Sequence, residues 1–231
     1  MPQKSRSTES FFGRRKGQQL RGRKQRMMDE TLPRLRIDIS TAPVDDIHSL
    51  FEKPGEQTRL EIGFGGGEHL THQALTNPTH NFIGVEPFIN GMAKMLGTIE
   101  DHGLNNVRLY DDDATQLLDW LPDKCLDRID LLYPDPWPKK RHWKRRFVNQ
   151  ANLDRFGRVL KQGGEFRFAS DIDTYVNWTL NHVENHGQFL WTASSSADWS
   201  QPWENWIRTR YEAKAIREGR QPAYLTFKFP G

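Results

Sequence analysis

From residue 57 onward the chain alternates two kinds of pattern. Arg59–Phe64 (RLEIGF), Asn81–Glu86 (NFIGVE), Val107–Tyr110, Arg128–Tyr133 (RIDLLY) and Glu165–Ala169 are short apolar runs, the pattern of strands. Between them, residues 68–76, 90–102, 114–120, 147–160 and 174–185 read as helices, the fourth stopped by Gly163 and Gly164. Residues 189–192 and 224–229 read as closing strands. Strand–helix alternation of this kind predicts an open, mostly parallel α/β sheet. No internal repeat is visible.

Residues 1 to about 30 break the pattern. They show no apolar periodicity and are rich in Gly, Gln, Ser and Arg, so they read as disordered in isolation. Residues 1–36 hold eleven Lys and Arg against Glu9, Asp29 and Glu30, a surplus of eight in a chain whose net charge is +3. The remaining residues, 37–231, are therefore mildly acidic. This divides the chain into a basic, flexible arm and one domain. Such an arm suits nucleic acid, where affinity comes from counterion release. A solubilising tail is the plain alternative; an organellar presequence ranks last, because Gly and Gln make a poor amphipathic helix. Cys125 is the single cysteine, which excludes an internal disulfide and points to a reduced, cytoplasmic setting. No apolar run approaches a membrane span, so no membrane partner is expected.

The first strand runs into EIGFGGGEH, where Gly63, Gly65, Gly66 and Gly67 form the turn into a helix. Glycine there permits positive φ and close approach of a ligand, and such sheets bind ligands at the carboxyl ends of their strands. The dinucleotide fingerprint needs a glycine where this chain has Glu68, and a carboxylate at that helix start does not favour a phosphate. Glu61 on the first strand and Glu86 ending the second add acids around the turn. Glu86 is placed to accept from ribose hydroxyls. Asp113, just past the third strand, suits an adenine amino group, and equally a helix cap with Gln116. Acids at successive strand ends without a phosphate signature point to S-adenosylmethionine.

The fourth strand ends in YPDPWPKKRHWKRR, Tyr133–Arg146. Pro134 and Pro136 fix the backbone around Asp135, which should face the same cleft. Trp137 and Trp143 can stack on bases, and Lys139, Arg141, Arg145 and Arg146 can hold phosphates. The competing readings are an ordinary turn aspartate and a solvated cation run.

At these residues the chain resembles the bacterial tRNA (guanine-N7)-methyltransferases. The matching motifs are LEIGFGGGEH (Leu60–His69), FIGVE (Phe82–Glu86), YPDPWPKKRHWKRR, ASDIDTY (Ala169–Tyr175) and TRYEAKAIREG (Thr209–Gly219). The resemblance implies a class I methyltransferase fold: a Rossmann-like open sheet of seven mostly parallel strands, the last antiparallel, with helices on both faces. It implies methyl transfer to N7 of a guanine in the tRNA variable loop, position 46. Glu61, Gly63, Gly65, Glu86, Asp113 and Asp135 become the S-adenosylmethionine residues, with Asp135 also catalytic. Lys139, Asp171, Thr209, Arg210, Tyr211 and Glu212 become tRNA-substrate residues. On pattern alone, Asp171 also reads as a helix cap, and Glu212 as one half of an intrahelical ion pair. No obligate protein partner is implied, and the state is a monomer or homodimer.

Three rivals remain. Methyltransferases acting on exocyclic amines carry an Asp/Asn-Pro-Pro-aromatic turn, whereas Trp137 here directly follows Pro136. An NAD(P)-dependent oxidoreductase is opposed by Glu61 and Glu68. A non-catalytic RNA-binding protein explains the cations but not the strand-end acids. His182 and His186 are four apart, yet Val183 removes the HExxH zinc motif; no P-loop or GxSxG occurs, so no metal site is expected.

Overall fold

The computed structural model describes residues 13–231; Lys4 and Arg6 of the basic arm lie outside the described residues. The chain's first described helices are α1 (Arg23–Arg26) and α2 (Leu32–Leu35), joined by a π turn over Met27–Thr31. Then follow β1 (Thr58–Ile62), α3 (Glu68–Thr76), β2 (Asn81–Val85), α4 (Ile89–His102), β3 (Val107–Tyr110), α5 (Ala114–Trp120) and β4 (Leu126–Leu132). After a 3-10 turn at Lys140–Arg145 come α6 (Gln150–Val159), β5 (Leu160–Ser170), α7 (Asp173–His186), β6 (Leu190–Trp191), α8 (Ala197–Ser200), α9 (Arg210–Arg217) and β7 (Ala223–Lys228). The seven strands are ordered β3-β2-β1-β4-β5-β7-β6, with β7 antiparallel to both neighbours.

Strand pleating divides the core between two faces. Phe82 joins Leu70, Met92, Met95 and Leu96 of α3 and α4, while Ile83 joins a cluster with Leu117 of α5, Phe156 of α6 and Tyr175 of α7. Both faces are thus covered, as a mostly parallel sheet requires. The order reverses direction at β1 and β4, which opens a crevice above their carboxyl ends.

Two segments differ from the sequence expectation. Gly163 and Gly164 do not stop the fourth helix. That helix ends at Val159 because the chain entering β4 captures its last carbonyls: Lys124 N donates to Arg158 O and Cys125 N to Val159 O, at 2.9 and 2.8 Å. The glycines lie inside β5, where Gly163 takes φ 77° and its N donates to Phe229 O while Gly164 O accepts from Phe229 N. The second segment is residues 23–36, expected to be part of a flexible arm. They lie against the sheet edge, with Met27 and Leu32 buried on the α4 side of the sheet. Met27 and Leu32 are five residues apart, a spacing foreign to an α-helix; the π turn brings both inward.

Candidate active site

The turn after β1 takes its shape from glycines. Gly63, Gly65 and Gly67 have φ of 74°, 59° and 79°, a region costly for side chains. No atom lies within 4 Å of where a Cβ of Gly63 would sit, so its backbone faces open space. Gly67 then caps α3.

The strand-end acids surround this turn. Glu61 is buried and its Oε2 lies 2.7 Å from His69 Nδ1. Glu86 holds the turn in place: Oε2 accepts from Gly65 N at 2.6 Å and Oε1 from Phe88 N at 2.9 Å. Burial raises the Glu86 pKa; those hydrogen bonds and Arg210 oppose the rise, and the negative charge of Asp135 adds to it. Asp113 caps α5, accepting from Thr115 N at 3.0 Å. The expected cap therefore forms, but not the box with Gln116, whose Oε1 accepts from Tyr110 OH at 3.2 Å while Asp113 N donates to Asp112 Oδ1; the second Asp113 oxygen has no such duty. Burial pushes the Glu68 pKa up, but its pairing with Lys94 of α4, a backbone hydrogen bond and the charge of Arg210 together bring it below the ordinary value.

Asp135 sits in a backbone segment under strain. Tyr133 and Trp137 flank it with φ of 49° and 43°, unusual for aromatic residues. Tyr133 N donates to Ala169 O, tying the turn to β5. Crowding by the cleft walls raises the Asp135 pKa, although the residue remains exposed to solvent. Arg146 locks the turn from below. It is 1% exposed, donates to Pro136 O at 3.0 Å and to Thr174 O at 2.6 Å, and packs against the rings of Trp143, Tyr175 and Trp178. This corrects its expected role as a phosphate ligand: a guanidinium saturated by buried carbonyls and rings has no face left for RNA. Trp137 is also engaged, with Arg145 5.0 Å from its ring centroid. Lys139, Lys140, Arg141 and Lys144 are all exposed.

The C-terminal motif reaches the same cleft. Thr209 is the N-cap of α9, its Oγ1 accepting from Glu212 N at 3.2 Å. Arg210 and Tyr211 lie over the glycine turn, each with an atom 3.5 Å from the place of a Gly65 Cβ. Glu212 points inward. It is 2% exposed and accepts from Trp206 Nε1 at 2.6 Å and Tyr224 OH at 2.7 Å. Its hydrogen-bond partners are these rings; the expected pairing with a nearby cation survives only as a long contact, Arg208 Nε lying 3.9 Å from Oε1. Asp171 does not cap α7, whose N-cap is Ile172; it accepts from Arg220 Nε at 2.5 Å.

The structure thus gathers Glu61, Gly63, Gly65, Glu86, Asp135, Arg210 and Tyr211 about one crevice. Sequence reading missed His69, Trp206, Tyr224 and Arg220. His69 carried a signal, standing beside the glycine turn. Trp206, whose ring lies 5.0 Å from that of His69, carried none, since only tertiary folding brings them together.

Strand order, both-face helices and the crevice of acids define a class I methyltransferase fold. The same fold appears in solved structures: the 16S rRNA methyltransferase KamB (16% identity, covering 76% of this chain and 88% of that one, TM-score 0.56) and an rRNA methylase from Streptococcus thermophilus (13%, 76% and 88%, TM-score 0.52). A methyltransferase family model, described as "Putative methyltransferase", matches residues 56–225. Curated tRNA (guanine-N(7)-)-methyltransferases align over nearly the whole chain: that of Rhizobium johnstonii is 62% identical over 99% of this chain and 98% of its own, and that of Brucella melitensis 60% over 96% and 95%. The chain belongs to the tRNA (guanine-N(7)-)-methyltransferase family.

Proposed function

We propose that the protein transfers a methyl group from S-adenosylmethionine to N7 of a guanine in the tRNA variable loop, position 46, in the cytoplasm. The convergence of strand-end acids and the Arg210–Tyr211 pair on one glycine turn carries this reading, beside family membership. The crevice fits the cofactor. Gly63 leaves its backbone open to a ligand. The carboxylates of Glu61, Glu86 and Asp113 provide acceptors for an amino group, ribose hydroxyls and an adenine amine, and each Glu86 oxygen keeps a second lone pair beside its backbone donor.

S-adenosylmethionine, when bound, supplies an electrophilic methyl group on a sulfonium. Guanine N7 is an unprotonated acceptor, so the protein has no proton to remove before attack. Its task is to align N7 and exclude water. Asp135 stands where a carboxylate can stabilise the purine as it becomes cationic. The cleft walls take away part of the water around Asp135, although it stays exposed, and this lessens the screening of that interaction. Arg146, through Pro136 O, holds the turn that aims it. Lys139 and Asp171 are assigned to the RNA, and Thr209 caps the start of α9, from which Arg210 and Tyr211 are assigned to meet substrate beside the cofactor.

Incubation with methyl-labelled S-adenosylmethionine and unmodified tRNA, followed by nucleoside analysis, tests the reading. Label on 7-methylguanosine at position 46 is expected. Label on an exocyclic amine instead would keep fold and cofactor and overturn the chemistry given to Asp135.

A further inference from the structure

The cation run after Asp135 lies on the side of the sheet where Trp143 meets Trp178 of α7. The opposite side of the crevice, above α3, is occupied by residues 203–217: His72 Nε2 meets Asn205 O at 3.0 Å and Trp206 packs on His69. Helix α9 rises from this second side, and it too is basic. Arg210, Lys214 and Arg217 occupy positions i, i+4 and i+7, one stripe of a helix, and all three are exposed. Arg208 and Tyr211 stand exposed beside them.

The inner face of the same helix is pinned. Glu212 and Ala215 are 2% and 0% exposed, Thr209 caps the first turn, and Arg220, just beyond the helix, pairs with Asp171. The acids of the segment are used up. Glu212 is buried on Trp206 and Tyr224, and Glu218 is drawn to Arg220. From the stripe, Lys214 lies 3.9 Å from Glu218, and Arg217 also feels its charge. What remains outward is a rigid row of cations whose first member overhangs the cofactor turn. A pre-ordered cationic row meets phosphates without the ordering cost a flexible arm pays.

We infer that Lys214 and Arg217 extend the site into a second phosphate-binding bank, so that the RNA backbone is gripped on both sides of the sheet. The inference rests on the RNA substrate proposed above. Cations in the last turn of a helix also complement its dipole, and that role predicts a loss of stability without a loss of RNA affinity.

The test uses the full chain with Lys214→Gln and Arg217→Gln together, and a second variant with Lys214→Ala and Arg217→Ala. Binding to unmodified tRNA is measured by fluorescence anisotropy across a salt series, cofactor binding by calorimetry, and Tm alongside. The expected result is a Kd for tRNA raised on the order of tenfold near 0.1 M salt, with the slope of log K against log salt reduced by roughly 1.4–1.8, the value for two lost phosphate contacts. Cofactor affinity is expected to stay the same. An unchanged tRNA slope in a folded double variant, with wild type forming 7-methylguanosine, overturns this bank alone. A wild type that neither binds nor methylates tRNA overturns the substrate reading as well.

Discussion

Asp135 is the residue on which the chemistry turns, and its environment dictates how it responds to pH. Partial desolvation by the cleft walls raises the folded-state pKa of this still exposed residue above that of an unfolded chain. The native state therefore holds a proton more tightly than the unfolded state, and ionised Asp135 costs stability at neutral pH. Two consequences go together. Turnover falls as pH drops through this raised pKa, because the protonated acid no longer stabilises a cationic purine. Asp135→Asn removes the charge, so turnover should fall by about 10²–10³-fold while Tm stays equal or rises slightly. A kcat profile over mildly acidic pH and a melting curve check both; near-normal turnover of the variant would refute the assignment. The residue's place was legible because prolines on both sides announce a fixed turn. Arg146 was not: in the sequence it is one more cation in a run, and only the fold surrounds it with Trp143, Tyr175 and Trp178.

Among the elements, those with strong periodicity were readable. Residues 107–110 and 114–120 form β3 and α5 with the expected bounds. Elements shaped by partners were not. β5 starts at Leu160 since β4 and Phe229 supply its hydrogen bonds, whereas local sequence shows only two glycines. The π turn hid the 23–35 helix in the same way. Its attachment rests on few apolar residues, chiefly Met27 at 1% exposure and Leu32 at 6%, with Arg23 bound to Asp101 at the surface. Surface pairs contribute little, so the burial should dominate. Met27→Ala is expected to cost about 2–5 kcal/mol if the segment unfolds with the domain. Denaturant titration reads the loss, and amide exchange of residues 23–35 shows where it falls. A change under about 0.5 kcal/mol would mean that the helix is not part of the cooperative unit.

At the scale of the molecule, the start of the chain returns to the site built by its middle and end. Residues 14–18 cross the helix end that follows β2. Arg15 O accepts from Ile89 N at 3.0 Å, Asn90 Nδ2 donates to Gln18 O at 2.8 Å, and Arg15 pairs with Asp112 at 2.6 Å, next to Asp113. Gly17 makes the approach possible: a Cβ there would lie 2.3 Å from Asn90 Oδ1 and 2.8 Å from the Phe88 ring. Phe88 N is one of the two donors that fix Glu86. The segment therefore braces the side of the crevice assigned to ribose and adenine, while its cations are partly neutralised in place. Bracing and RNA attraction can be separated. Deleting residues 1–18 should weaken both cofactor binding, several-fold, and tRNA binding. Gly17→Leu keeps every charge but forces the segment off Asn90, so it should weaken cofactor binding while the salt slope for tRNA stays near wild type. Calorimetry with S-adenosylmethionine and a salt series with tRNA distinguish the two. If Gly17→Leu binds cofactor normally, the crossing is packing alone, and any effect of the deletion belongs to the charges it removes.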